Sequence, residues 1–191
     1  MVDGEKNLIE LAIKGEASAF GSLYDHYQPK IYRFVLVKVG RREEAEALTH
    51  QVFLNAWTNI GRYEDVGFPF SSWLYRIARN AVVDFYRAHR ENVSLEKTDP
   101  EMFAMQASVH ADLAAKMDLE KVKSAIRELK PEYQDVIMLR FVEDLPIKEV
   151  ASAMEKSEGA VKVIQHRAIK ELKSALNKEE GQTKNNIRII T

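Results

Sequence analysis

Phe70-Ser-Ser-Trp-Leu-Tyr-Arg-Ile-Ala-Arg-Asn-Ala-Val-Val-Asp-Phe-Tyr-Arg-Ala-His-Arg90 has the spacing of one long amphipathic helix. It follows Pro69, a helix breaker, and opens on Ser71 and Ser72, either of which suits an N-cap. At about 100° per residue, Leu74, Ile77, Ala78, Ala81 and Phe85 fall on one side as a core stripe. Arg76, Arg79, Asn80, Val83, Tyr86, Arg87 and Arg90 fall on the other, with Trp73 and Tyr75 at its edges. Arginine neutralises phosphate, aromatic rings stack on unpaired bases, and an amide can read a base edge. Interleaving them points to nucleic acid; the competing reading is a solvated amphipathic helix whose rings merely pack.

Working outward, the rest of the chain also reads as helices. Toward the N-terminus lie amphipathic stretches from Asn7 to Lys14, Ala17 to Tyr27, about Pro29 to Val39, and Arg42 to Asn59. Gly15, Gly40, Gly61 and Gly67 punctuate them, and no strand alternation appears in this half. Toward the C-terminus, Glu91, Glu96, Asp99, Glu101, Asp112, Asp118 and Glu120 are offset only by Lys97 and Lys116, and the first part of this acidic stretch reads as a flexible linker. Helices are expected again over Asp112 to Leu129, Pro131 to Phe141, Pro146 to Met154 and Glu158 to Asn177, before a polar tail predicted to fray.

The last two of these form the second signal. A short connection, Glu155-Lys156-Ser157, joins them, with Ser157 as N-cap. Val161, Ile164, Ala168 and Leu172 line one side of the final helix. Lys162, Val163, His166, Lys170 and Lys173 line the other, with Arg167 on its flank. A short helix, a tight turn and a helix with a basic outer face describe a helix-turn-helix, or else an ordinary helical hairpin.

Composition narrows the function classes. A chain of 191 residues with 46% hydrophobic and 30% charged residues supports one large or two small domains that stay in solution. No apolar run approaches a membrane span, and the start of the chain lacks a signal-peptide profile. The absence of cysteine removes disulfides, thiol catalysis and cysteine-ligated zinc. The five histidines form no metal motif, and the scattered glycines form no phosphate loop, so no metal, cofactor or catalytic residue is expected. A net charge of −1 means that any basic surface must be local.

Both signals in one chain resemble a known family. Gly15-Glu-Ala-Ser-Ala-Phe-Gly-Ser-Leu-Tyr24, Ile31-Tyr-Arg-Phe34, Ala45-Glu-Ala-Leu-Thr-His-Gln-Val-Phe-Leu-Asn-Ala-Trp57 and Ser72-Trp-Leu-Tyr-Arg-Ile-Ala-Arg-Asn80 look like region 2 of bacterial extracytoplasmic-function sigma factors. Leu129-Lys-Pro-Glu-Tyr133, Glu149-Val-Ala151 and Ser157-Glu-Gly-Ala-Val-Lys162 through His166-Arg-Ala168 look like region 4. The resemblance implies an all-α fold with region 2 over 5–90, a linker over 91–111, region 4 over 112–178 and a disordered tail over 179–191. It implies a cytoplasmic bacterial factor that joins core RNA polymerase, recognises the −10 and −35 promoter elements and promotes strand opening.

The same resemblance assigns residues. Glu46, Leu48, Thr49, Gln51, Val52 and Asn55, in the helix that also carries Phe53 and Trp57, would grip the β′ clamp helices of polymerase. Arg62, Trp73, Tyr75, Arg76, Arg79, Asn80 and Arg87 would open and read the −10 element, partly as single strand. Ser157, Glu158, Lys162, Val163, His166, Arg167 and Lys170 would read the duplex −35 element. An anti-sigma factor is the expected regulator. Ala47, His50 and Gln51 depart from the family's more acidic clamp-binding pattern. Glu155 stands where the turn commonly has glycine, and Ile164-Gln165 shifts the buried stripe of the last helix. A stand-alone helix-turn-helix regulator and a non-initiating interaction protein of the polymerase or anti-sigma system remain as other readings.

Overall fold

The computed structural model describes residues 4–64, 67–89 and 113–188, with side chains over 4–64, 67–88 and 121–177. The expected linker over 91–111, and Arg90, lie outside them. No strand occurs among the described residues. The chain divides into two compact units, each described below by itself.

The N-terminal unit contains α1 (Glu5–Ile13), α2 (Ala17–Val39), α3 (Arg42–Asn59), a 3₁₀ turn (Ile60–Arg62) and α4 (Phe70–His89). α1 is tied to α2 by the Tyr27 hydroxyl, which donates to the buried Glu5 carboxylate at 2.6 Å. Gly15, at φ 93°, ends α1, and the Glu16 N–H then reaches back to the Leu11 carbonyl at 3.0 Å. Gly40 at φ 80° ends α2 in the same left-handed region, where glycine carries no Cβ penalty.

α2 is one helix, not two. Pro29 lies inside it rather than at the start of a new helix. An internal proline removes one hydrogen bond and costs about 3 kcal/mol. Leu23, Tyr27, Ile31 and Val35, four residues apart, are all buried along one continuous stripe across it. At roughly 1.5–3 kcal/mol per buried apolar side chain, that stripe outweighs the break.

α3 and α4 pack on α2 and on each other. From α3 the inward set is Ala45, Thr49, Val52, Phe53 and Ala56; from α4 it is Phe70, Leu74, Tyr75, Ala78 and Val82. α4 starts at Phe70, two or three residues earlier than a cap at Ser71 or Ser72 predicts. Phe70 is buried, so Ser71 and Ser72 fall inside the first turn, and Ser72 N–H bonds the Pro69 carbonyl at 3.0 Å. Ile77, Ala81 and Phe85, expected in the core stripe, are only half-buried.

The C-terminal unit contains α5 (Leu113–Glu128), α6 (Pro131–Ile137), a π turn (Met138–Val142) and α8 (Glu158–Arg188), with the first half of α7 (Ile147–Met154), whose residues from Ala151 on, through Lys156, group with the N-terminal unit. α8 packs on α5 and α6. Leu129, Val136, Leu139, Val150, Val161 and Ala168 are among its buried apolar residues. Buried Gln134 donates to the Arg127 and Leu129 carbonyls at 2.9 and 3.1 Å, satisfying the end of α5. The expected helix over Pro131 to Phe141 closes instead in the π turn. There Asp144 takes φ 52° and its neighbour Leu145 bonds back to the Leu139 carbonyl at 2.9 Å.

The connection from α7 to α8 follows the predicted tight turn. Glu155 holds φ 54°, and Lys156 N–H bonds the Ala151 carbonyl at 3.0 Å while Glu155 N–H bonds Ser152 at 3.2 Å. This pair of bonds is a Schellman motif with a non-glycine residue at its left-handed position. Ser157 then caps α8, its Oγ accepting from Ala160 N–H at 3.2 Å. α8 continues to Arg188, where the polar composition predicts a frayed tail from Lys178. A formed helix adds one hydrogen bond for each further residue fixed, so elongation needs no new nucleus.

Candidate nucleic-acid interface

The rim of the arginine helix is aromatic. Trp73, half-buried at the start of α4, lies 5.3 Å from the Phe70 ring and 5.4 Å from Tyr63, centroid to centroid. Tyr63 in turn meets Phe70 edge-on at 5.4 Å, and its hydroxyl donates to the Phe68 carbonyl at 3.3 Å. Phe70 is the buried anchor, so Trp73 and Tyr63 stand over it with a face or edge toward solvent. Arg62, exposed, ends the 3₁₀ turn beside them.

Tyr75 does not belong to this rim. Only 1% of it is exposed, and its ring meets Phe34 of α2 edge-on at 5.4 Å. Its expected part in −10 contact is therefore corrected: the ring is core packing. The reason is positional, because an edge residue at helical spacing goes to whichever neighbour offers a socket, and Phe34 offers one.

Farther along α4, Asn80, Val83 and Arg87 are exposed, while Arg76 and Arg79 are partly buried. The outer face is not free of acid, since Asp84 accepts from Arg87 Nη1 at 3.2 Å. Both side chains are largely exposed, so this pair is weak and a phosphate can displace the carboxylate. Tyr86, placed on the outer face by periodicity, is anchored: its hydroxyl donates to the Lys38 carbonyl near the end of α2 at 2.5 Å. Burial first, and then the Glu44 charge, raise its pKa, so it stays a donor.

The α3 face divides in two. Glu46, Gln51 and Asn55 are exposed, and Leu48 is half-buried. Thr49 and Val52 are not available to a partner, being 2% and 0% exposed. They occupy the inward stripe with Ala45 and Ala56, which corrects the expectation that they touch polymerase. Sequence reading missed Leu54, an apolar side chain left 49% exposed on the same outward surface. Its register beside Gln51 and Asn55, off the inward stripe, is the signal that could have found it. Glu46 accepts from Arg42 Nε at 3.1 Å, and Gln51 donates to Asn55 at 3.0 Å, so the face is partly pre-ordered.

In α8 the expected reading residues share one surface. Ser157, Glu158, Lys162, Val163, His166, Arg167 and Lys170 are all exposed, whereas Val161 and Ala168 face inward and are fully buried. Ile164 is only half-buried, and the neighbouring Gln165 buries its Oε1. Ile164 and Gln165 thus share the position between the buried Val161 and Ala168, both half-buried. Phe141 and Val142, at 54% and 42% exposed in the π turn, were not singled out from sequence. Among the described residues no cluster of side chains suits a metal ion.

Comparison with known proteins places both parts of the chain in one family. The sigma-70 region 2 model matches residues 23–92 and the sigma-70 region 4 model matches 119–172. The ECF RNA polymerase sigma factor BldN of Streptomyces coelicolor is 38% identical over 164 residues, which cover 84% of this chain and 61% of BldN. The chain therefore spans less than two thirds of that relative. SigW of Bacillus subtilis, another ECF RNA polymerase sigma factor, is 30% identical over 171 residues, covering 85% of this chain and 91% of SigW. Two solved structures share the fold. CnrH in complex with the cytosolic domain of CnrY matches with a TM-score of 0.71 at 22% identity, covering 92% of this chain and 98% of that one. The sigma factor RpoE of Bartonella quintana, in complex with the anti-sigma factor NepR, matches with 0.68 at 22%, covering 83% and 96%. The chain belongs to the extracytoplasmic-function family of RNA polymerase sigma factors.

Proposed function

We propose that this chain is an alternative initiation factor that joins core RNA polymerase, recognises −10 and −35 promoter elements and assists strand opening. One observation carries the reading. A single chain holds two exposed helical faces of different chemistry, one with cations among aromatic rings and one basic face on a helix-turn-helix. Rings suit unpaired bases, and the second helix of a helix-turn-helix suits the major groove of duplex. A regulator that reads only duplex has no use for the Trp73–Tyr63 rim.

In this reading residues 5–90 form region 2 and 112–178 form region 4, joined by the acidic linker. Glu46, Leu48, Gln51, Leu54 and Asn55 dock on the β′ clamp helices. Arg62, Trp73, Arg76, Arg79, Asn80 and Arg87 hold the opened −10 strand, and the α8 face reads −35. The chain itself carries no catalysis and acts in the bacterial cytoplasm; among the described residues no helix is long and apolar enough to cross a membrane. Because the Bartonella relative was solved with the anti-sigma factor NepR, a protein of that class is the proposed regulator here.

Footprinting of reconstituted holoenzyme tests the proposal. It should show two separated protected patches, with permanganate-reactive thymines only in the downstream one. A single protected patch, given equally by the chain without polymerase, would replace this reading with the stand-alone regulator.

A further inference from the structure

The outer face of α8 has two residues that the helix itself does not want. Val163 is 50% exposed. A β-branched side chain on an open helix surface loses rotamer freedom without gaining burial. Gly159, one turn earlier, is also exposed, and a Cβ built there would meet nothing within 4 Å. Its φ is not in the left-handed region, so neither backbone geometry nor crowding within the chain requires glycine. Even in the first turn, where Gly159 lies, glycine gives up more backbone freedom on ordering than alanine does.

The two positions are neighbours. Side chains lean toward the N-terminus of their helix, so Val163 leans over the bare backbone at Gly159. Lys162, His166 and Arg167, all exposed, surround this apolar spot on its remaining sides. The result is a methyl-bearing patch with a clear approach, inside a ring of donors and cations. In the major groove the one apolar group that a base presents is the 5-methyl of thymine.

We propose that Val163 is a specificity-determining residue that packs on the 5-methyl group of a thymine in the upstream promoter element, with Gly159 keeping the approach open. The inference rests on the reading of α8 as the −35 helix. The same charged ring fixes register on phosphates and base edges, and Val163 adds discrimination for thymine over cytosine at one position.

The test uses holoenzyme reconstituted from this chain and core polymerase, with a promoter selected from a pool randomised upstream. Each thymine of the upstream element is replaced in turn by deoxyuridine, which removes only the methyl. One replacement should weaken wild-type binding about fourfold, the equivalent of roughly 0.8 kcal/mol for one buried carbon. Val163→Ala should bind the thymine promoter with a similar loss and be indifferent to that replacement. Gly159→Ala should raise the melting temperature and yet weaken upstream binding. Lys162→Ala and His166→Ala serve as the control on α8. If they weaken upstream binding while no deoxyuridine position separates wild type from Val163→Ala, the thymine assignment is overturned alone. If neither they nor Val163→Ala change it, the −35 reading of α8 falls as well.

Discussion

Replacing Trp73 and Tyr75 separately by alanine should give two different defects, although the residues are two apart in sequence. Tyr75 is 1% exposed and packs on Phe34. Large aromatic-to-alanine changes in a core cost about 3–5 kcal/mol, so Tyr75→Ala should lower stability by that order. Trp73 is half-buried at the rim, so its truncation should cost less stability. If its ring stacks on a base of the opened strand, losing it should cost roughly 1–3 kcal/mol, or about 5- to 150-fold in the opened fraction. Thermal unfolding followed by circular dichroism measures the first effect, and permanganate reactivity of the holoenzyme–promoter complex measures the second. A premelted promoter should partly rescue Trp73→Ala, because the strand no longer has to be captured from duplex. Wild-type opening by Trp73→Ala on duplex promoter would refute the stacking role. A wild-type melting temperature for Tyr75→Ala would refute the core assignment.

Three further outcomes follow from named contacts. Leu54→Ala should weaken binding to core polymerase about fivefold, from roughly 1 kcal/mol for the half of the side chain still open to a partner, with helicity intact; unchanged affinity by titration would remove Leu54 from the interface. Glu155→Gly should raise the melting temperature, since the left-handed backbone at φ 54° costs a non-glycine residue about 1 kcal/mol; a lower one would show that the side chain matters more than the strain. His26 titrates below the ordinary histidine range, chiefly through burial and then through the Lys30 charge, whose Nζ lies 3.0 Å from Nε2. The folded state thus resists a proton that the unfolded chain accepts, so stability is full above about pH 6.5 and falls as pH drops toward the lowered value. His26→Gln should flatten that decline, and an equally steep decline would assign it to other groups.

Helix content and order were legible because the buried residues recur at helical spacing. The turn before α8 was legible because Ser157 needs only the next three residues to act as its cap. What escaped depends on partners distant in sequence. Pro29 reads as a boundary until the stripe Leu23, Tyr27, Ile31 and Val35 is seen to be buried on both sides of it. Tyr75 sits where periodicity cannot choose a face, and Phe34 on another helix makes the choice. On α3, family resemblance marks the helix proposed to dock on polymerase, but burial separates Thr49 and Val52 from Glu46, Gln51 and the overlooked Leu54. Asp84, not counted on either face of α4 from periodicity, accepts from Arg87.

Run-off transcription with purified core polymerase lacking any other sigma factor decides whether this chain initiates transcription. With a promoter taken from the holoenzyme selection, adding this chain should produce transcripts from a defined start, and Trp73→Ala should reduce them. Tight promoter binding by the chain alone, with no transcript from core polymerase in its presence, would contradict the account.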